Sequence, residues 1–287
     1  MTPPIINEAG PLLARYDVLF CDVWGVVHTG RRAHAEAGVA RARFRAGGGT
    51  VILVSNAPVP AAGVAHILAV TGARCDAFDA IVSSGDIALG HIRDQGYRRL
   101  HRVGPLKRDQ LFFDGLPGPH AELDAADAIA CTGLADERRE TVADYRALID
   151  GGLRRGLPFV CANPDLVVDV GHERLVCAGS LAAVYEREGG AVFWAGKPHP
   201  SAYGAALAAA TRLRGTEPAR ARILGIGDAL RTDMAAAEGF GVDGLFIMAG
   251  IHSDDTMRDG VPDPEKLARL FQPATPPAVA AMTGLRW

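Results

Sequence analysis

Val18-Leu-Phe-Cys21, Val51-Ile-Leu-Val54 and Ile223-Leu-Gly-Ile226 are runs that are apolar throughout, with no alternation. A strand with one wet face alternates apolar and polar residues; a run without alternation suits a strand buried on both faces, as in a parallel sheet covered by helices. Helical patterns separate these runs. Glu36 to Ala46 reads as a helix stopped by Gly47-Gly-Gly49, and a second passes through Ile67 and Leu68 after Ala57-Pro58. Ala80-Ile-Val-Ser83 repeats the strand, with Gly85-Asp86 opening a helix to about Asp94. Strand, helix, strand, helix predicts an α/β fold with a doubly wound parallel sheet.

From Gly96 the texture changes, because Tyr97 to Val103 is basic and alternating, as in an exposed strand. A second, smaller unit is expected over 96–178, with the larger one formed by 1–95 and 179–287. Within the smaller stretch a helix is predicted from about Asp136 to Ile149, stopped by Gly151-Gly152. Further on, Ser180 reads as the N-cap of a helix, Ala191 to Ala195 as a strand leading into Gly196-Lys197-Pro198, and Pro200 to Arg214 as a helix. Val242 to Met248 reads as the last strand, Asp263-Pro264-Glu265 as the start of a final helix, and Pro273 to Pro277 as a terminal tail.

The composition bounds the function. With 287 residues, 48% hydrophobic and 22% charged, the chain suits one large or two modest soluble domains. A formal net charge of −3, without a basic run, gives no reason to expect a nucleic-acid partner. The five cysteines are odd in number and hold no C-x-x-C pair, so buried thiols in a reducing cytoplasm are expected rather than disulfides or zinc. There is no basic leader with an apolar stretch, nor about 18 apolar residues together, so no membrane anchor is expected; a homodimer is left open.

The strand ends carry the chemistry. Asp22, Ser55 and Asp228 each follow an apolar run, and Lys197 and Asp233 lie in neighbouring turns. In a parallel sheet the C-terminal strand ends share one edge, so these residues can meet in one crevice. Clustered carboxylates repel one another, and Mg2+, which takes carboxylate, water and phosphate oxygens, relieves this. Lys197 and the Ser55 hydroxyl would hold the phosphate. Singly, each residue also reads as an ordinary turn, cap or solvated charge. A dinucleotide loop at Gly225-Ile-Gly227 is disfavoured, since Leu230 stands where G-x-G-x-x-G has its third glycine and Asp228 follows at once.

This combination resembles the haloacid dehalogenase (HAD) superfamily, and within it the class IIA phosphatases. Asp22-Val-Trp-Gly-Val is similar to the first motif, Val54-Ser55-Asn56 to the second, Gly196-Lys197-Pro198 to the third and Gly227-Asp228-x-x-x-Thr232-Asp233 to the fourth. The resemblance covers nearly the whole chain and makes the expected core a HAD-like Rossmannoid one, with 96–178 as an inserted α/β cap of the C2 type. It implies a Mg2+-dependent hydrolase acting on a small phosphorylated metabolite through an aspartyl phosphate. Asp22 would be the nucleophile; Asp22, the Trp24 backbone carbonyl and Asp228 would hold Mg2+. Ser55, Asn56 and Lys197 would bind phosphate, Asp233 would support the metal's water shell or Lys197, and the cap residues Thr132, Asn163 and Asp165 would face the leaving group.

The departure is Trp24. The family's first motif usually reads D-x-D, and its second aspartate serves as general acid and base; an indole N–H cannot shuttle protons at neutral pH. Three readings stay open from the sequence. Another group, His28 or His199, replaces the acid; the leaving group needs no proton; or the protein is a catalytically weak phospho-ligand-binding module. Dehalogenation ranks lower, because carbon–halogen displacement has no need of the metal that the Asp228 to Asp233 loop suits.

Overall fold

The structure, a computed structural model, describes residues 1–170 and 173–287. Residues 171 and 172, inside the stretch expected as a cap, lie outside those described. Two compact units divide the chain. The first comprises Met1–Ser55, Ala65–Val82 and Lys197–Trp287; the second comprises Asn56–Val64 and Ser83–Gly196.

In chain order the strands are β1 (Val18–Cys21), β2 (Thr50–Ser55), β3 (Ala80–Ser83), β4 (Leu100–Val103), β5 (Ala128–Cys131), β6 (Phe159–Cys161) and β7 (Val167–Val170). They continue as β8 (Glu173–Val176), β9 (Val192–Trp194), β10 (Ile223–Gly227), β11 (Asp243–Ile247), β12 (Met257–Arg258), β13 (Val261–Pro262) and β14 (Ala280–Met282). The first unit carries a six-stranded sheet in the order β14-β11-β10-β1-β2-β3. Its central strand β1 pairs parallel with both β2 and β10, setting Cys21 opposite Leu53 on one side and Ile226 on the other. All four residues of β1 are buried, as the unbroken apolar run requires. Phe20 packs edge-on against Tyr203 of the helix Pro200–Arg214, with ring centroids 5.0 Å apart.

Residues 273–277 do not open a free tail. β14 follows them and extends the sheet in parallel with β11, Leu245 opposite Ala280. The N-terminal residues run along its outer side, where Ala281 N–H donates to the Pro4 carbonyl and Ile6 N–H to the Ala281 carbonyl. Two alanines and a methionine next to a proline cluster give little strand signal; the open edge of β11 supplies what local propensity does not.

The second unit has its own parallel sheet, ordered β4-β5-β6-β9. Residues of β5 alternate between two cores. Ile129 and Cys131 pack with Leu181 and Tyr185 on one face, and Ala128 and Ala130 with Phe112 and Leu89 on the other. β9 thus belongs to this sheet, paired Cys161 to Trp194, and not to the larger unit as the 179 boundary implied. The helix Ser84–Asp94 lies on this side of the division too, capped by Ser83, whose side chain accepts from Asp86 N–H. The division therefore falls at 83 and 196 rather than at 96 and 178, and takes in Asn56–Val64.

Two local expectations fail for packing reasons. The helix Arg146–Arg155, preceded by a 3-10 turn over Val142–Tyr145, runs through Gly151 and Gly152 and ends at Gly156, which takes the left-handed conformation with φ 61°. A Cβ at Gly151 would crowd Leu123, and one at Gly152 would crowd Ile129 and Tyr185, so both glycines permit close approach rather than stop the helix. Ser180 is not an N-cap; the helix Ala178–Arg187 begins after Cys177, and the Ser180 hydroxyl donates to the Leu166 carbonyl at 2.7 Å.

Candidate active site

The register of the first unit's sheet aligns the strand ends. One residue beyond Cys21, Asp22 leaves β1 with its N–H still bonded to the Ile226 carbonyl at 2.8 Å. One residue beyond the Gly227 end of β10 comes Asp228, and β2 ends in Ser55, which is 8% exposed. Asp233 sits in the π-helical turn Leu230–Met234 that follows β10. That turn brings Asp233 back over the strand it left: its Oδ2 accepts the Ala229 N–H at 3.1 Å, and a Cβ at Gly227 would overlap its side chain.

Lys197, 2% exposed, joins the carboxylates. Its Nζ donates to Asp22 Oδ1 at 2.5 Å and to Asp233 Oδ1 at 2.6 Å. Burial opposes the ammonium, but the two carboxylates outweigh it and raise the Lys197 pKa. Burial raises the Asp22 pKa, with Lys197 opposing and Asp233 and Asp228 adding to the rise. Asp228 is pushed up to about 7, first by burial and then by Asp233, against the Ile251 N–H that its Oδ2 accepts at 2.8 Å.

Asp22, Asp228 and Asp233 each offer an oxygen such that all three lie within 4.8 Å of one another. Three carboxylates facing one ammonium leave an excess of buried negative charge, which a divalent cation with a preference for carboxylate oxygens relieves. The backbone is shaped to fit. Gly25, at φ 88°, and Gly250 both lie so close to the Asp228 carboxylate that a Cβ on either would overlap it. Gly250 and Ile251 had no sequence signal, because nothing in Met248-Ala-Gly-Ile251 announces a partner 22 residues away; Gly25 carried one, its place beside the strand end.

Trp24 and His28 lie in the loop that leaves β1. That loop is closed by Gly25 N–H donating to the His28 carbonyl at 2.9 Å. The indole, 39% exposed, rests on Gly30, where any Cβ would collide with it, and meets the His28 ring edge-on with centroids 5.4 Å apart. His28 is 2% exposed, and its Nδ1 accepts the Gly30 N–H at 2.8 Å. Burial lowers its pKa, with a smaller contribution from His34. His199 occupies the N-cap position of the helix Pro200–Arg214.

The remaining residues singled out by sequence belong to the second unit. Asn56 Nδ2 donates to Asp165 Oδ1 at 2.9 Å, and the Asp165 N–H donates to Asn163 Oδ1 at 3.1 Å, so these three are linked. Thr132 is fully buried, with its hydroxyl 3.5 Å from the Val103 carbonyl.

The sequence matches the haloacid dehalogenase-like hydrolases over residues 19–113 and the HAD-hydrolase-like family over 194–272. Among solved structures, a hydrolase of the haloacid dehalogenase-like family from Brucella suis 1330 is 40% identical, with a TM-score of 0.84, over 98% of this chain and 100% of that one. The chain belongs to the haloacid dehalogenase-like hydrolases. Two further solved structures share the fold. A possible sugar phosphatase from Cytophaga hutchinsonii is 20% identical over 98% of both chains, with a TM-score of 0.73. A glycerol phosphate phosphatase from Mycobacterium tuberculosis, in complex with magnesium, is 25% identical over 91% of this chain and 81% of that one, with a TM-score of 0.63. No curated protein matches the sequence. In this member of the hydrolase family three carboxylates and one ammonium gather at the C-terminal edge of the larger sheet. No helix among the described residues is long and apolar enough to cross a membrane.

Proposed function

We propose that this protein is a Mg2+-dependent phosphoric ester hydrolase that acts on a small phosphorylated metabolite through a covalent phosphoryl-Asp22. The observation that carries this reading is the buried contact of Lys197 with both Asp22 and Asp233, beside Asp228. A molecule that merely bound phosphate would gain nothing from a carboxylate aimed at it, since like charges repel; a nucleophile is what such a carboxylate can be. The binding-module reading is therefore not favoured. The phosphatases among the structures of the same fold, one holding magnesium, support the substrate class.

Asp22, Asp228 and the Trp24 carbonyl would hold the cation, which when bound neutralises charge on the transferring phosphoryl group. An Asp22 oxygen attacks phosphorus while the bond to the leaving oxygen breaks. Lys197 and the Ser55 hydroxyl hold the phosphoryl oxygens and stabilise the charge that builds there. Asp233 keeps Lys197 in place between itself and Asp22. Water then cleaves phosphoryl-Asp22, releasing inorganic phosphate and restoring the carboxylate. Buried free thiols at Cys21, Cys131, Cys161 and Cys177 support a reducing, cytoplasmic setting.

Phosphate release from 4-nitrophenyl phosphate with Mg2+, for wild type and Asp22→Asn, tests the reading. Activity in the first and loss in the second is expected, together with a hydroxylamine-sensitive phosphoprotein in the wild type. Unimpaired hydrolysis by Asp22→Asn would rule out the nucleophile.

A further inference from the structure

We infer that the leaving group must depart as an anion, so that the substrates are acyl phosphates, enol or aryl phosphates and phosphoanhydrides rather than simple alkyl phosphates. This rests on the phosphatase reading above and names its substrate class. It is carried by how the loop after β1 is built. Among the described residues, the acidic cluster at this sheet edge consists of Asp22, Asp228 and Asp233. All three are engaged: Asp22 on Lys197, Asp233 on Lys197 and the Ala229 N–H, Asp228 on the Ile251 N–H. None is left over to carry a proton to the leaving oxygen.

Trp24 follows Asp22 by two residues, and its ring is seated within the loop. Gly30 receives it from below and the His28 ring meets it edge-on at 5.4 Å. Of the loop's two imidazoles, His28 and His34, it is His28 that meets the Trp24 ring, and it is committed to the fold. Its Nδ1 lone pair accepts the Gly30 N–H at 2.8 Å, which makes the ring the neutral tautomer protonated at Nε2. At 2% exposure the ring is buried. The same Gly30 thus seats the indole and occupies the imidazole.

The bond changes balance without a donor. The Asp22 oxygen forms its bond to phosphorus, the bond from phosphorus to the leaving oxygen breaks, and the electron pair leaves on that oxygen. Water then adds to phosphorus of phosphoryl-Asp22, the Asp22–phosphorus bond breaks, and the proton of water passes to solvent. An alkoxide is too basic to leave this way at a useful rate, whereas a carboxylate, enolate, phenolate or phosphate leaves readily.

The test is the dependence of kcat/KM, which reports the first irreversible step, on leaving-group pKa, measured with Mg2+ on substituted phenyl phosphates, acetyl phosphate and glycerol phosphate. In the wild type kcat/KM is expected to fall by about tenfold per unit of leaving-group pKa. Trp24→Asp is expected to flatten that slope and to raise glycerol phosphate hydrolysis by about 100-fold or more. His28→Gln is expected to keep the wild-type slope. A shallow wild-type slope, or one that steepens in His28→Gln, overturns the inference; if Trp24→Asp does not fold, the wild-type slope decides. Should 4-nitrophenyl phosphate hydrolysis be absent, or survive Asp22→Asn, the phosphatase reading itself falls. A shallow slope with an inactive Asp22→Asn removes the leaving-group assignment alone.

Discussion

The four-stranded sheet of the second unit and the six-stranded sheet of the first are made from the same kind of strand. β5 and β6 are buried at every position, as are β1, β2 and β10. Their ends differ. In the first unit the strands end in Asp22, Ser55 and Asp228, with Lys197 drawn among the acids. In the second they end in neutral groups: β5 in Thr132, fully buried, and β6 in Ala162 and Asn163. Both sheets fold because apolar area is buried on two faces, and that term is indifferent to the residue at the strand's end. Chemistry is therefore set by a handful of terminal positions and not by the architecture that aligns them.

Substitutions of similar size in the two units sharpen this contrast. Asp22→Asn is expected to lower phosphate release by about 10,000-fold or more, as read by steady-state assay, while the folded protein persists. Lys197→Met carries a stability cost as well, since it leaves Asp22 and Asp233 buried without their cation; urea unfolding of the first unit is expected to show a loss of about 3–5 kcal/mol. Mg2+ at about 100 times its dissociation constant is expected to stabilise the protein by about 2.7 kcal/mol. Thermal melts with and without EDTA measure this, and Asp228→Asn should abolish the gain. A buried acid of the second unit behaves otherwise. Asp109, 1% exposed, is held by Arg108 at 2.7 Å, and Arg108 is half in solvent. Asp109→Asn is expected to cost about 1–2 kcal/mol of stability and to leave turnover within a few-fold. If it instead destroyed activity with stability intact, the division of labour between the units would be wrong.

The smallest effect concerns pH. Arg99 and the N–H groups of Arg98 and Arg99 hold the Asp127 pKa down to about 2. A folded value below the unfolded one, about 3.9, means that the stabilising contribution is complete above roughly pH 5 and is lost as pH falls through the folded value. The stability difference between wild type and Asp127→Asn should shrink as urea titrations move from pH 5 towards pH 2. A difference that stays constant would mean that Asp127 acts through packing and not through charge.

Much of the first unit was legible. Unbroken apolar runs identified β1, β2 and β10, and the polar residue closing each run identified Asp22, Ser55 and Asp228. β14 was hidden because pairing with β11, and not its own sequence, makes Ala280–Met282 a strand. β9 was legible as a strand but not as a member of the second sheet, since a short apolar run carries no label for its neighbour. Gly151 and Gly152 misled because glycine serves both to end helices and to let them pack closely, and Leu123, Ile129 and Tyr185, which decide between the two uses, come from elsewhere in the chain. The commitment of His28 Nδ1 to Gly30 could not be read at all, because a loop's hydrogen bonds follow from its path.

The strap formed by residues 4–10 and 280–287 bears on the order in which the units form. Ala9 N–H donates to the Arg286 carbonyl, Arg286 Nε to the Asn7 carbonyl, and the Trp287 ring lies against Gly10. These contacts span nearly the full sequence, and β14 has no partner for its outer side without them. During synthesis the second unit has its whole chain available once Gly196 has emerged, 91 residues before the last strap residue. The six-stranded sheet, begun first, is the last to close, and Asp22 waits beyond β1 for strands that arrive after the chain of the second unit is already complete.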